Sequence, residues 1–420
     1  MLSHEDNKLL TEVGPGTKMG ALLRRYWHPI AAAAELEEHP IKPVRIMGED
    51  LVLYRDGSGT LGLIDRRCPH RGADMSYGRV EQCGLRCRYH GWRFDERGQC
   101  LEQPFEEIAH PNFKTRVKTT AYQAQVKGGL VWAYMGPEPA PLLPNWDFFD
   151  WPNGFVELVF AEVPCNWFQC QENSIDPLHF EWLHVSATTV MHPRAKGAKK
   201  LLSTDGSKRH VALKFEEFEY GFLYKRLLEG WDETAPGWTV GRVCLWPNAF
   251  FVGRCEWRVP IDDENTLSVL WNYTRVPTEQ EPYVRERIPY WYAPVHDPKT
   301  GRLITSHNMN EDVAAWVGQG RIADRTREHL GEGDRGIIMM RRKMFEQMDV
   351  VAAGGEPKAI IRDPEKNTKI VLPLINREKV VFEGRPKASY VNGPPDHFAF
   401  AGQPDHVRRE YLRAMGFPED

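Results

Sequence analysis

Cys68-Pro69-His70 and Cys87-Arg88-Tyr89-His90, sixteen residues apart, decide how this chain is read. Each stretch offers one thiol and one imidazole. Gly72 and Gly91 follow closely, where backbone must pass near a bound group. Two thiolates on one iron and two imidazoles on the other make a 2Fe-2S centre of roughly −150 to +300 mV, well above an all-cysteine cluster. Zinc is the competing use of these residue types. Structural zinc sites usually pair C-x2-C with a separate His pair, whereas here each loop supplies one Cys and one His. With 8 Cys and 15 His in 420 residues, composition alone would place such a string with probability roughly 0.0005, so the pattern carries weight unaided.

A second stretch lies downstream: Asp176-Pro177-Leu178-His179-Phe180-Glu181-Trp182-Leu183-His184. Chance would supply Asp/Glu-x2-His-x4-His with probability about 0.07, so its weight comes from sharing a chain with the first. Two imidazoles and a carboxylate suit a mononuclear ferrous ion that keeps positions open for oxygen. On an ideal helix His179 and His184 would be rotated about 140° apart. Both reach one ion if the helix is distorted or ends there, and Pro177, which lacks an N–H, is a reason for irregularity. Asp176 reads as an N-cap ahead of a proline at the first helical position. For a further carboxylate ligand, the residues leave Glu311, Asp312, Asp324 and Asp334 open.

Together the motifs resemble those of the Rieske non-haem iron aromatic-ring oxygenases, large (alpha) subunit. The pattern C-x-H…C-x2-H falls on Cys68, His70, Cys87 and His90, and acidic-x3-Asp-x2-His-x4-His on Glu172, Asp176, His179 and His184. The opening Val13-Gly14-Pro15-Gly16 and the stretch Gly318-Gln319-Gly320-Arg321-Ile322-Ala323-Asp324-Arg325 resemble the phthalate-dioxygenase branch. The resemblance implies a Rieske 2Fe-2S cluster on the four loop residues and a mononuclear Fe(II) held by His179, His184 and Asp312. It assigns Asp176 to a bridge between a cluster histidine and an iron-ligand histidine across a subunit boundary, where a carboxylate fixes tautomers. A homotrimer or stacked hexamer follows from that bridge. It also implies a terminal oxygenase that uses O2 to hydroxylate an aromatic carboxylic acid, by dihydroxylation or O-demethylation. Electrons would come from a separate NADH-dependent flavin/iron-sulfur reductase, since the chain has no nicotinamide or flavin fingerprint. An arginine is the natural anchor for a substrate carboxylate; Arg209, Arg242 and Arg254 are candidates. The alternative is a non-catalytic Rieske electron-transfer protein, which needs only the cluster domain.

Length and patterning point to an α+β chain with an all-β Rieske domain and a catalytic domain whose antiparallel sheet is flanked by helices. A helical segment over 1–42 packs on the catalytic domain, the cluster domain spans 43–140, and the catalytic domain 145–420. Pro137, Pro139, Pro141 and Pro144 mark the linker. A net charge of −4 argues against nucleic acid. Lys199-Lys200 and Arg341-Arg342-Lys343 read as solvated faces. No apolar run approaches the roughly 18 residues of a membrane span, and Cys83, Cys100, Cys165, Cys170, Cys244 and Cys255 read as free or buried thiols, so a cytoplasmic protein is expected.

Overall fold

The computed structural model describes residues 1–190, 208–390 and 399–419; Lys199-Lys200 lies outside them. Three sheets organise the chain. Six strands run in the order Trp27–Ala32, Leu130–Tyr134, Ala121–Lys127, Leu61–Asp65, Glu49–Arg55, Ile41–Ile46, every neighbouring pair antiparallel. Gly128 and Gly129, both at positive φ, close the hairpin that joins the second and third of these, as their sequence requires. A small sheet of Arg79–Val80, Leu85–Arg86, Arg93–Phe94 and Cys100–Glu102 carries the second cluster loop.

The third sheet has eight strands in the order His210–Phe218, Gly221–Leu228, Arg242–Leu245, Ala249–Phe251, Cys255–Pro260, Thr266–Arg275, Gly154–Val163, Tyr290–Tyr292. It is antiparallel except at its last edge, where Leu158 to Phe160 pair in parallel with Tyr290 to Tyr292. The strand Arg242–Leu245 is short, because Pro236–Thr239 forms a helical turn first. Ala249–Phe251 and Cys255–Pro260 are separate strands, folded at Gly253 (φ 91°). Helices Trp167–Asn173, His179–Val190 and Asn308–Gly318 bring the site residues together, and Arg335–Ala352 packs behind.

The N-terminal segment departs from the helical reading of 1–42. His4–Thr11 and Lys18–Leu23 are helices, but Trp27–Ala32 is a strand in the cluster-bearing sheet. All six of its residues are buried. A strand covered on both faces loses the two-residue alternation that would have identified it. Nor does the proline-rich stretch separate two cores: one apolar cluster contains both Trp132 of the six-stranded sheet and Trp257 of the eight-stranded one, their rings 5.2 Å apart and edge-to-face. Among the described residues no helix is long and apolar enough to cross a membrane.

His28 sits in this shared core, fully enclosed. Its Nε2–H donates to the Leu23 carbonyl (2.8 Å), and Asn248 Nδ2 lies 3.3 Å from Nδ1. Burial drives its pKa from 6.5 down to about 4, against the bond to Leu23. Below pH 6.5 the unfolded chain takes up a proton that the folded chain refuses. Stability is therefore complete above that pH and is lost as pH falls towards 4, by about 3 kcal/mol. Thermal melts across this window are expected to be steeper in pH for wild type than for His28→Gln; equal slopes would exclude His28 as the source.

Candidate functional site

The two cluster loops fold alike. Cys68 N–H bonds the Ala73 carbonyl and Gly72 N–H the Cys68 carbonyl, both at 2.8 Å; Cys87 N–H bonds the Trp92 carbonyl and Gly91 N–H the Cys87 carbonyl, at 2.8 and 3.0 Å. Gly72 and Gly91 hold the same left-handed conformation (φ 71° and 79°), which a side chain would strain. This repeated closed turn brings Cys68 beside Cys87, both buried, and places the His70 and His90 rings 4.5 Å apart. Trp92 stacks on His70 at 4.3 Å and an interplanar angle of 8°. Burial, with Cys87 beside it, pushes the Cys68 thiol up to about 12. A buried thiol that resists ionisation alone, set beside a second buried thiol, suits a group that binds thiolate. The donor set, two sulfurs inside and two imidazoles outside, fits a Rieske cluster.

The second site is built from two helices more than a hundred residues apart. Asp176 Oδ1 accepts the Leu178 N–H (2.7 Å), so the carboxylate and Pro177 together end the loop, and the helix begins at His179 itself. Asp176 therefore stands just ahead of the helix in its own tight turn. His179 and His184 converge, with ring centroids 5.2 Å apart at 77°. Asp312, on Asn308–Gly318, faces both: its Oδ1 is 3.8 Å from His179 Nε2 and 3.3 Å from His184 Nε2. One ligand atom from each of the three lies within 4.8 Å of the others. The opposite ring nitrogens meet other carboxylates. His184 Nδ1 is 3.0 Å from Glu311 Oε2, and His179 Nδ1 is 3.5 Å from Asp176 Oδ2.

These residues fit a divalent iron. His184 Nε2 is buried and makes no hydrogen bond. Burial alone would lower the His184 pKa, yet the Asp312 and Glu311 carboxylates outweigh it and push it up to about 9. Burial would raise the Asp312 carboxyl, but His184 and His179 hold it below the usual carboxylate range. The pocket thus demands positive charge at its centre, which a metal cation supplies. Of the acids left open by sequence, Asp324 is exposed and caps Thr326. Asp334 occupies the N-terminus of Arg335–Ala352, but its side chain accepts the Gly331 N–H instead of capping that helix.

Three features escaped the sequence reading. Glu311 is buried against His184, although it had seemed only a rival to Asp312. Glu172, the acidic residue of the motif, pairs with Arg325 (2.6 Å) and Arg341 (2.6 Å). Burial would raise its carboxyl, but the two guanidinia outweigh that and hold it low. Arg341 also pairs with Glu328, so it is buried rather than part of a solvated Arg341-Arg342-Lys343 face; Arg342 alone of the three is exposed. Arg325 further bonds Asn7 Oδ1 (3.0 Å), which ties His4–Thr11 to the helix before the metal site. Finally, Phe180 touches both metal-site histidines, at 4.4 and 5.1 Å between centroids. The Arg242 guanidinium lies over it at 4.3 Å and Arg226 at 5.2 Å. Arg209 is exposed and lies off this group.

Comparison with known proteins accords with this geometry. Residues 26–114 match the Rieske [2Fe-2S] domain, from just ahead of the strand Trp27–Ala32, and 297–371 match the "LigXa C-terminal domain like" family. The chain is 52% identical over its full length, and over 98% of the relative's, to the 5,5'-dehydrodivanillate O-demethylase oxygenase subunit of Sphingobium sp.. It is 33% identical, over 84% of this chain and 88% of the relative, to the phthalate 4,5-dioxygenase oxygenase subunit of Pseudomonas putida. The chain belongs to the Rieske non-haem iron oxygenases. It is an alpha subunit of the phthalate-dioxygenase-like branch, and a terminal oxygenase component. Its cofactors are a Rieske 2Fe-2S cluster and a mononuclear iron. Among solved structures, NdmA of Pseudomonas putida CBB5 shares the fold (TM-score 0.57, 19% identity, 80% of this chain and 94% of that one).

Proposed function

We propose that this oxygenase uses O2 and electrons from a separate NADH-dependent flavin/iron-sulfur reductase to O-demethylate an aromatic carboxylic acid, with dihydroxylation as the second outcome open to such a site. Cys68, His70, Cys87 and His90 hold the cluster; His179, His184 and Asp312 hold the iron. The cluster supplies one-electron transfer and the iron supplies oxygen activation. The protein's own part is to bind, orient and enclose the substrate. One observation carries the reading: beside the His179–His184–Asp312 group stands Arg242, whose Nη1 donates to Tyr224 Oη (3.4 Å) and which has no acidic partner among the described residues. Arg254 makes no ion pair among the described residues either, and Glu256, then Asp312, act on it electrostatically. Unpaired guanidinia beside a metal site suit a carboxylate ligand. The 52% identity to an O-demethylase oxygenase subunit favours the first outcome.

The assembly we propose is a homotrimer or stacked hexamer in which Asp176 links one subunit's iron site to its neighbour's cluster. Asp176 and His179 line a cavity of about 650 Å³, whose lining also includes Asp324 and Glu328 and the cations Arg325, Arg327 and Arg341. The cluster end presents exposed His90 and Tyr89, with exposed Arg67, Arg71 and Arg88, which lack acidic partners among the described residues. The Asp176 carboxylate on one face and the exposed basic residues on the other support the pairing of these two faces. All eight cysteines are free, which supports a cytoplasmic location.

The test is oxygen uptake with reductase and NADH across methoxylated aromatic acids, phthalates and halobenzoates, with formaldehyde and products identified by mass. A reducible cluster with no substrate-dependent uptake from any of them would favour the electron-transfer alternative. Arg242→Glu is expected to raise KM for the preferred acid roughly tenfold or more, with a smaller effect on kcat. An unchanged KM would remove Arg242 as the anchor.

A further inference from the structure

The two metal-site histidines are braced unequally. Both turn Nε2 towards Asp312 and Nδ1 away from it. Behind His184 stands Glu311, 3.0 Å from Nδ1, with both side chains almost fully enclosed (6% and 5% exposed). Behind His179 stands Asp176, whose Oδ2 is 3.5 Å from Nδ1 without hydrogen-bond geometry; its side chain is 27% exposed and its other oxygen is committed to the Leu178 N–H. Among the described residues Glu311 pairs with no basic side chain except His184. Its helix is anchored just ahead of it, since Asn310 accepts the Ala401 N–H (2.8 Å) and Met309 N–H bonds the Ala399 carbonyl (2.8 Å).

We infer that Glu311 is the positioning residue that retains the mononuclear iron, a task separate from that of Asp176. The inference rests on the proposed ligand set and goes beyond it. An Nδ1–H donated to a buried carboxylate fixes the tautomer of His184, leaves the Nε2 lone pair facing Asp312, and makes that nitrogen more basic. Adjacent positions on one helix thus serve the same ion twice: Asp312 directly, and Glu311 through an imidazole. The longer side chain is what reaches round the ring. Asp176, looser and at the surface, is left free to respond to a partner subunit. A buried carboxylate whose contact is a histidine also explains why Glu311 stands in the core without an arginine.

The experiment measures Fe(II) retention by the intact, cluster-bearing protein in competition with a ferrous chelator. Glu311→Gln removes the charge and Glu311→Asp withdraws the carboxylate from the ring; each is expected to bind iron roughly 10- to 100-fold more weakly while the Rieske absorbance is unchanged. Asp176→Asn is expected to hold iron as wild type does. Glu157→Gln, at an equally buried carboxylate that bonds Trp291 (2.9 Å) and Asn272 (3.1 Å), serves as the control and is expected to change nothing. Retention within about threefold of wild type in either Glu311 variant, or equal loss in Glu157→Gln, overturns the inference. If the Glu311 variants do not fold, nitrogen NMR of zinc-loaded wild type decides. His184 protonated at Nδ1 supports the brace, and a proton on Nε2 overturns it. Wild type that binds no iron beyond the cluster would instead defeat the functional reading itself.

Discussion

Asp312→Ala is expected to abolish substrate-dependent oxygen consumption, by roughly a thousandfold or more, while the Rieske absorbance stays at its wild-type intensity. Asp312 is the only carboxylate that faces the Nε2 atoms of both His179 and His184 among the described residues. Without it two neutral imidazoles remain, and a ferrous ion loses its one anionic ligand. The cluster loops are held by their own backbone bonds and share none of these contacts, so the two centres are expected to fail independently. Iron analysis and an oxygen electrode together check this. A variant that still carries three irons per chain and turns over within tenfold of wild type would place the carboxylate ligand elsewhere.

Asp176→Asn is expected to keep iron, cluster and assembly, yet slow reoxidation of the reduced cluster by roughly a hundredfold in a single turnover. The amide oxygen of asparagine can still accept the Leu178 N–H, so the turn that starts the His179 helix survives. What is lost is the second carboxylate oxygen, which faces His179 from the cavity rim, and the charge that a neighbouring cluster histidine would meet there. Stopped-flow absorbance of the cluster, after reduction and mixing with oxygenated substrate, reads the step directly. Reoxidation at the wild-type rate would show that electrons enter by another path. The contrast with Glu311→Gln is the useful part: one variant starves an occupied iron site, while the other empties it.

Most individual strands, the turn of each cluster loop and the His pair were legible because each depends on residues within a few positions of one another. Gly72 and Gly91 announce their turns, while Asp176-Pro177, read as cap and first residue of a helix, forms a turn just ahead of one that begins at His179. Trp27–Ala32 was illegible for the opposite reason: buried on both faces, it shows no alternation. Arg341 misled because a run of three basic residues on a helix suggests solvent. In fact its neighbours Met340 and Met344 share its buried face, and Glu172 meets it there. Breaking a buried pair of that kind costs about 3–5 kcal/mol, so this network, and not surface charge, is what Arg341 is for.

By itself the amino-acid order determined that two iron centres share this chain, and it offered six Cys and His residues to serve them. Metal ligands a few positions apart are placed by local backbone geometry, which the intervening residues dictate. The resemblance named Asp312 among four acids, but tertiary structure alone put Glu311 on His184 at a separation of 127 residues and Arg325 on Glu172 at 153. At such separations nothing local orients one side chain toward another. Their meeting is a consequence of how the helices Trp167–Asn173, His179–Val190 and Asn308–Gly318 pack over one sheet, and packing is a property of the whole core.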